Sequence, residues 1–398
     1  MQTTSQYPDL RLRRGKEASL ERFHPWVFSG ALTAMPTDVE EGQVVRVLAA
    51  DGRVMGVGHF QIGSIAVRIL SFSDRIIDAD FYYQALLQAW TLRKALRLRR
   101  DDNTAFRLVH GEGDFLPGLV VDIYGDTAVV QAHSPGMHFA RQIIAEALTR
   151  LPDLGVVNVY YKSETTLPYK ARLDPVNDYI IGHSDTNIAI ENGLKFNIDW
   201  LRGQKTGFFV DQRDNRALLE QYSRGRRVLN MFCYTGGFSV YAMRGGATQV
   251  DSVDSSAKAV ALTEANIRLN FGDDPRHHAY AEDAFKYLDS VGDNAYDLMV
   301  LDPPAFAKHR DALRNALRGY QKLNAAGLRR IAPGGILFTF SCSQAVDRRD
   351  FRLAVFSAAA QTGRRVRILH QLTQPADHPI NIYHPEGEYL KGLILYVE

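Results

Sequence analysis

The stretch Val228-Leu229-Asn230-Met231-Phe232-Cys233-Tyr234-Thr235-Gly236-Gly237-Phe238-Ser239 decides the fold. It reads as an apolar strand, a turn with paired glycines, and a helix that starts at once. Glycine reaches positive φ and carries no Cβ, so this turn lets a ligand approach the backbone closely. The next strand ends Val250-Asp251-Ser252-Val253-Asp254. That places an acid about twenty residues on, the spacing at which a carboxylate takes ribose hydroxyls. The glycines do not spell G-x-G-x-x-G, so a pyrophosphate ligand is disfavoured and an adenosine without phosphates fits better. Paired glycines alone are equally common in plain tight turns; Asp254 in register is what favours a ligand.

Outward from this segment, strands alternate with helices from about Gly193 to the end of the chain. The pattern predicts strands at 227–232, 249–253, 278–281, 296–301, 335–340, 365–370 and 392–397. Helices are expected at 237–243, 256–270, 311–331 and 347–362. Such alternation specifies an α/β domain with a parallel sheet covered on both faces. Ligands of such sheets sit beyond the carboxyl ends of the strands, and three further segments end there. Glu282-Asp283 follows the third strand, and Asp283 is either a helix N-cap or an acceptor for an adenine amine. Leu301-Asp302-Pro303-Pro304-Ala305-Phe306 follows the fourth; the prolines stop the strand and hold Asp302 at its edge. Phe340-Ser341-Cys342-Ser343 closes the fifth. A free cysteine is usually a small buried hydrophobe, but Cys342 at the same edge as Asp302 reads as a nucleophile. Cys233, inside the presumed ligand loop, is the weaker candidate.

Ahead of this domain, residues 1–75 read as a small β-barrel. Strand-like runs Val44–Leu48 and Ser64–Leu70 flank a turn at Asp51-Gly52. Residues 76–190 read as a middle α+β domain, with helices at 78–98 and 136–151, a hairpin of 119–123 with 127–131, and a strand at 156–161. The third domain is 191–398.

The chain has 398 residues, 45% hydrophobic and 23% charged, with 47 Lys+Arg against 45 Asp+Glu and a formal charge of +2. These values fit an ordinary globular protein of two or three domains. No apolar run is long enough to span a membrane, and the first twenty residues show no secretory h-region. Two cysteines exclude a disulfide scaffold or a four-cysteine zinc site, and no metal site is expected. A cytoplasmic protein is the expectation. Basic residues cluster at Arg93–Arg100, Arg224–Arg227 and Lys308–Arg330. Arg310, Arg314 and Arg318 recur every fourth residue, on one face of an expected helix. Each cluster alone is an ordinary solvated face; together they point toward nucleic acid.

The ordered motifs 230–239, Asp254, Asp283, 301–306 and 341–343 resemble those of S-adenosylmethionine-dependent RNA methyltransferases. More narrowly, they resemble the 23S (large-subunit) ribosomal RNA cytosine-C5 methyltransferases of the RlmI (YccW) type. Gly203-Gln204-Lys205-Thr206-Gly207-Phe208-Phe209-Val210-Asp211-Gln212-Arg213 looks like that family's motif beside the cofactor. Arg22-Phe23-His24-Pro25-Trp26-Val27-Phe28-Ser29-Gly30-Ala31 looks like the start of its RNA-binding PUA domain. The resemblance covers essentially the whole chain and implies a Rossmann-like class I methyltransferase domain. It implies Cys342 as nucleophile on C6 of cytosine and Asp302 as hydrogen-bond partner of the base. It implies S-adenosyl-L-methionine bordered by Phe232, Cys233, Tyr234 and Gly236, its ribose on Asp254, its adenine near Asp283, with Asp302 alongside and Asp211 and Arg213 at the methionine end. RNA contacts are expected from Trp26, Arg310, Arg314 and Arg318. The implied partner is 23S ribosomal RNA or a large-subunit assembly intermediate, with no membrane and with a monomer or homodimer both open. One departure stands out: many cytosine-C5 RNA methyltransferases carry a second cysteine beside the fourth-strand motif, and here Asp302-Pro303-Pro304-Ala305 has none, as in the RlmI type. That leaves product release without an assigned residue, with Cys233 as a candidate. Two rival readings remain: methylation of guanine N7 or an exocyclic amine, which needs no nucleophile, and a non-catalytic RNA-binding protein on a methyltransferase fold.

Overall fold

The computed structural model describes residues 7–307 and 309–398. The chain forms two compact units. One holds the chain up to Asn192 with Ile198–Val210 and Ala376–Gly387; the other holds Gly193–Asn197, Asp211–Pro375 and Glu388–Glu398. Among the described residues no helix is long and apolar enough to cross a membrane.

The first unit contains two five-stranded sheets. In chain space the first runs Asp9–Arg11, Val44–Leu48, Val54–Phe60, Ile65–Ser71, Trp26–Phe28. Its buried face gathers Leu12, Val27, Val45, Val47, Phe60 and Val67. Gly58 is required by packing, because a Cβ there would lie 2.1 Å from the Arg68 carbonyl oxygen on the paired strand. The second sheet runs Asp178–Ile181, Asn158–Tyr161, Thr127–Ala132, Leu119–Tyr124, Ala105–His110. The helix Ala79–Ala95 packs Phe81, Leu86 and Trp90 into its core, and Asp78 caps that helix by accepting from the Phe81 N–H. The single helix expected at 136–151 is two, Pro135–Phe139 and Arg141–Thr149. Ala140 between them has ψ near zero (−2°), off the helical value, so the axis breaks where no side chain announces it.

The second unit is built on seven strands: β1 (Arg227–Met231), β2 (Gln249–Asp254), β3 (His277–Ala281), β4 (Tyr296–Leu301), β5 (Ile331–Ser341), β6 (Val366–Leu372) and β7 (Lys391–Val397). Their order is β3-β2-β1-β4-β5-β7-β6. The first five pair in parallel, connected by helices as their alternation predicts. Leu229, Met231, Met299, Leu301, Leu337 and Leu395 fill the core between the sheet and its helices. The expectation of a wholly parallel sheet needs correction at the end. β7 runs antiparallel to both β5 and β6 and lies between them. The cause is the connection: β6 is reached through the helix Arg348–Thr362 and stays parallel to β5, whereas β7 follows without a crossover helix and must return in the opposite sense.

Candidate active site

From β1 the chain steps to β2 and β3 on one side, then crosses to β4 and β5 on the other. The β1/β4 boundary is therefore the point where strand order reverses, and a doubly wound sheet opens a ligand crevice there. The loops after β1, β4 and β5 all leave the same edge.

The loop after β1 is shaped by left-handed backbone. Phe232, Tyr234 and Gly236 have φ of 59°, 48° and 77°. Non-glycine residues there are costly and persist where surrounding contacts enforce them. Those contacts are the Cys233 N–H to the Val253 carbonyl (3.0 Å), the Gly236 N–H to the Cys233 carbonyl (2.8 Å) and the Tyr234 N–H to Asp254 Oδ2 (3.0 Å). Gly236 is also pressed against the helix Ala257–Phe271, since a Cβ would meet Thr263 Cγ2 at 2.5 Å. Asp254, at the end of β2 and half-buried, accepts additionally from the Ser256 N–H through Oδ1 (2.9 Å). Its carboxylate is thus fixed against the loop. Cys233 is buried, its Sγ 3.6 Å from Thr263 Oγ1, and burial pushes its thiol up to about 12. Asp283 is exposed and caps the helix Ala284–Ser290, accepting from the Phe285 and Lys286 N–H groups at 3.0 and 3.1 Å, both through Oδ1.

After β4, Asp302 Oδ2 accepts from Gln212 Nε2 (2.9 Å), and Gln212 Oε1 accepts from Asn215 Nδ2 (2.6 Å). Burial, and next the Asp211 carboxylate, push the Asp302 carboxyl up to about 7, against the opposing pull of Gln212 and Arg216. Asp211 accepts from the Tyr389 hydroxyl through Oδ2 (2.7 Å), while its buried Oδ1 has no hydrogen-bond partner. Arg213 is buried, its Nε 3.5 Å from Asp214.

After β5, Cys342 is half-buried, and burial, then Asp302, then Asp211 push its thiol up to about 12. Both flanking serines are pinned. Ser341 Oγ donates to the Tyr320 hydroxyl (2.9 Å), and Ser343 Oγ donates to the Ala307 carbonyl (2.6 Å). The second bond ties the Cys342 loop to the segment that carries Asp302.

Arg314 and Arg318 are exposed on the helix Leu313–Arg330, with Tyr320 buried. Arg310 is not on that helix. Its backbone belongs to the preceding 3-10 turn Arg310–Ala312, whose three-residue period breaks the four-residue spacing. Trp26, in the other unit, is half-buried and committed: its Nε1 donates to Glu112 Oε1 (2.8 Å) and its ring lies edge-on to His384 at 4.3 Å. Nearby, His24, His384 and Glu386 could in principle group around an ion. His24 Nδ1 accepts the Trp26 N–H, which leaves the proton on Nε2 and makes that atom a donor toward Glu386. Sequence reading gave no role to Gln212, Ser341 and Ser343, although they lie inside the quoted 203–213 and 341–343 motifs, and it missed Tyr389.

A reversal-point crevice with a carboxylate-anchored loop and no phosphate cradle defines a class I S-adenosylmethionine-dependent methyltransferase. A family model described as S-adenosylmethionine-dependent methyltransferase matches residues 107–386, and one described as PUA-like domain matches 10–72. The chain is 38% identical to Ribosomal RNA large subunit methyltransferase I of Aeromonas salmonicida (strain A449), over 96% of this chain and 98% of that one. The same-named protein of Tolumonas auensis is 39% identical over 96% and 98%. The chain belongs to this family of S-adenosylmethionine-dependent methyltransferases. Among solved structures, a Streptococcus mutans protein assigned as a SAM-dependent methyltransferase shares the fold with a TM-score of 0.82 at 22% identity, covering 98% of this chain and 100% of that one. Another, solved in complex with SAH, gives 0.83 at 23% identity over the same shares. The chemistry of the residues suits the cofactor: Asp211 Oδ1 is a buried carboxylate oxygen in want of a donor such as an α-ammonium, and Asp254 is a carboxylate held against the loop, of the kind that accepts from hydroxyls.

Proposed function

We propose that the protein methylates C5 of a cytosine in 23S ribosomal RNA, through a transient bond between Cys342 and C6 of the base. The relatives' name supports ribosomal RNA of the large subunit as substrate. The observation that carries the chemistry is the pairing of Cys342 and Asp302, which lie at the carboxyl ends of neighbouring strands, close enough that the Asp302 carboxylate raises the proton affinity of the thiol. S-adenosylmethionine supplies an electrophilic methyl group. Cytosine C5 is too weak a nucleophile to take it unaided, so the chain's own residues must enrich the ring. The Cys342 thiolate adds to C6, forming S–C6 and moving the C5–C6 electron pair toward C5. Asp302, protonated up to about pH 7, donates to N3 as negative charge develops there, in a partly desolvated site that strengthens the bond. Once C5 carries the methyl group, loss of its proton returns the electron pair and breaks S–C6. The base must reach this edge unstacked, from a loop or by flipping.

In this reading Asp254 holds the ribose, Asp283 Oδ2 faces the adenine, the 232–236 loop borders the cofactor, and Asp211 with Arg213 meets its methionine end. The domains are 1–75, 76–190 and 191–398, working in the cytoplasm on RNA or an assembly intermediate. Arg310, Arg314, Arg318 and the Trp26 region hold the RNA, so binding should weaken steeply with salt. The test is methylation of 23S RNA followed by mass-spectrometric mapping, with Cys342→Ala alongside. A 5-methylcytosine product that vanishes in Cys342→Ala is expected. Full methylation by Cys342→Ala would refute the covalent step and point to an amine or N7 target.

A further inference from the structure

Lys391 opens β7, opposite Ser341 in the β5 ladder. Its side chain is 4% exposed, which lysine seldom is without a paired anion. Its Nζ donates to two backbone carbonyls, Ser343 (2.5 Å) and Tyr389 (2.6 Å). Among the described residues it has no carboxylate in ion-pair range, unlike the buried Arg93, which is paired with Asp114. One N–H of the ammonium is left over from the two carbonyls. Two carbonyls satisfy donors without neutralising the charge; Glu388 and Asp347 act on it only from beyond ion-pair distance and Arg348 opposes them, so an anion that forms nearby would be its closest partner. The chemistry adjacent to it provides one: the sulfur of Cys342, between the two serines of the same loop.

We propose that Lys391 is a positioning residue for the covalent step, fixing the Cys342 loop through the Ser343 carbonyl and serving as counter-charge to the Cys342 thiolate. It rests on Cys342 being the nucleophile, but its test does not. The charges facing the sulfur are of both signs: Asp302 and Asp211 oppose ionisation, and Lys391 favours it. In turn, burial draws the Lys391 ammonium down to about 8, while the thiol, then Glu388 and Asp347, hold it up against Arg348. The same lysine also clamps the Tyr389 carbonyl, and Tyr389 bonds Asp211. Its hold therefore reaches both the thiol loop and the carboxylate beside it.

The experiment uses the full chain with Cys233→Ala, so that Cys342 is the sole thiol, and follows iodoacetamide alkylation of Cys342 against pH. Lys391→Gln keeps donors for the carbonyls and removes the charge; Lys391→Arg keeps the charge. Losing one nearby charge should slow alkylation of Lys391→Gln about tenfold below about pH 8, where the parent's lysine is charged, an upward move of about one pKa unit, with the gap narrowing above it as Lys391 loses its proton. Lys391→Arg should stay within about threefold of the parent below about pH 8. A Lys391→Gln profile superimposable on the parent would overturn the counter-charge role. If Lys391→Gln does not fold, the Arg variant decides: an alkylation rate as low as that of a charge-free thiol, in a folded protein, also refutes it. Should Cys342→Ala retain methylation, the proposed reaction fails while the alkylation result still reports on Lys391.

Discussion

Asp302→Asn should change the shape of the pH–rate profile as well as its height. The thiol of Cys342 stands near 12 and the carboxyl of Asp302 near 7. The reacting arrangement needs the opposite distribution, a thiolate beside a protonated carboxyl. Below pH 7 the carboxyl is already protonated, and the thiolate fraction grows tenfold per pH unit. Above pH 7 each gain in thiolate is cancelled by loss of the carboxyl proton, so the reactive fraction levels off. The two values lie about five units apart, and since the thiol's value counts the Asp302 charge that protonation removes, the plateau lies above about 10⁻⁵ of the free protein, a cost below about 7 kcal/mol. Asparagine has no proton to lose. Its log(kcat/KM) should therefore climb with unit slope straight through neutrality, whereas the parent bends near pH 7. The variant should be about 10²–10⁴-fold slower at pH 7, the usual worth of a positioned acid, and close part of that gap as pH rises. Methyl transfer to 23S RNA, measured as kcat/KM between about pH 5.5 and 9, reports the free protein's groups. A parent profile that rises unbroken through pH 7 to 9, or an Asn variant that bends where the parent does, would refute this assignment of the acid.

Three further outcomes follow from the same contacts. Asp302→Asn should also stabilise the fold in alkali: a carboxyl raised above its unfolded value favours the folded state only while protonated, so that contribution is complete below about pH 4 and lost as pH climbs through about 7. The variant should exceed the parent by about 1–2 kcal/mol near pH 8.5, after discounting for partial exposure, and match it near pH 4 in denaturant titrations. Gly236→Ala must hold positive φ and drive a Cβ to 2.5 Å from Thr263 Cγ2; it should cost about 2–4 kcal/mol and abolish S-adenosylmethionine binding in calorimetry. In the unmodified chain, peptide mapping should find Cys342 alkylated at least about tenfold faster than Cys233, since both thiols lie near 12 and only Cys342 is accessible.

The central strands β1, β4 and β5 were legible as apolar runs stopped by charge, glycine or proline, the more polar β2, β3 and β6 by their place in the alternation with helices, and the carboxyl-edge motifs followed from their order. Asp302 and Cys342 sit where the alternation of strands and helices predicts. The direction of β7 was not legible, since antiparallel return depends on the missing crossover and not on composition. Nor was the break at Ala140, which no glycine or proline marks. Arg310 shows the limit of periodicity: its spacing fits a helix, but the helix begins at Leu313. The polar partners were hidden for a different reason. Gln212 reaches Asp302 across 90 residues, Tyr389 reaches Asp211 across 178, and Lys391 reaches Ser343 across 48. Separations of that size leave no local pattern; the one sequence signal was a lone lysine heading an otherwise apolar strand.

The electrostatics of the site carry a conflict that explains its construction. Two carboxylates, Asp211 and Asp302, crowd one edge; Asp211 disfavours charge on Asp302, and both disfavour it on the thiol. A site meant only to sharpen a nucleophile would place cations there instead. Carboxylates are what a cationic ligand requires, and the buried, unpartnered Asp211 Oδ1 is an acceptor that such a ligand would satisfy under the proposed reading. The field that suits the cofactor thus works against the nucleophile, and both cannot be served by the same charges. The buried Lys391 separates the two tasks: its ammonium is held on the Ser343 and Tyr389 carbonyls, without an ion pair to either carboxylate among the described residues, and its charge favours the thiolate that they oppose. It also accounts for the placement of β7 against β5, since a strand ending the chain anywhere else in the sheet would not bring its first residue opposite Ser341.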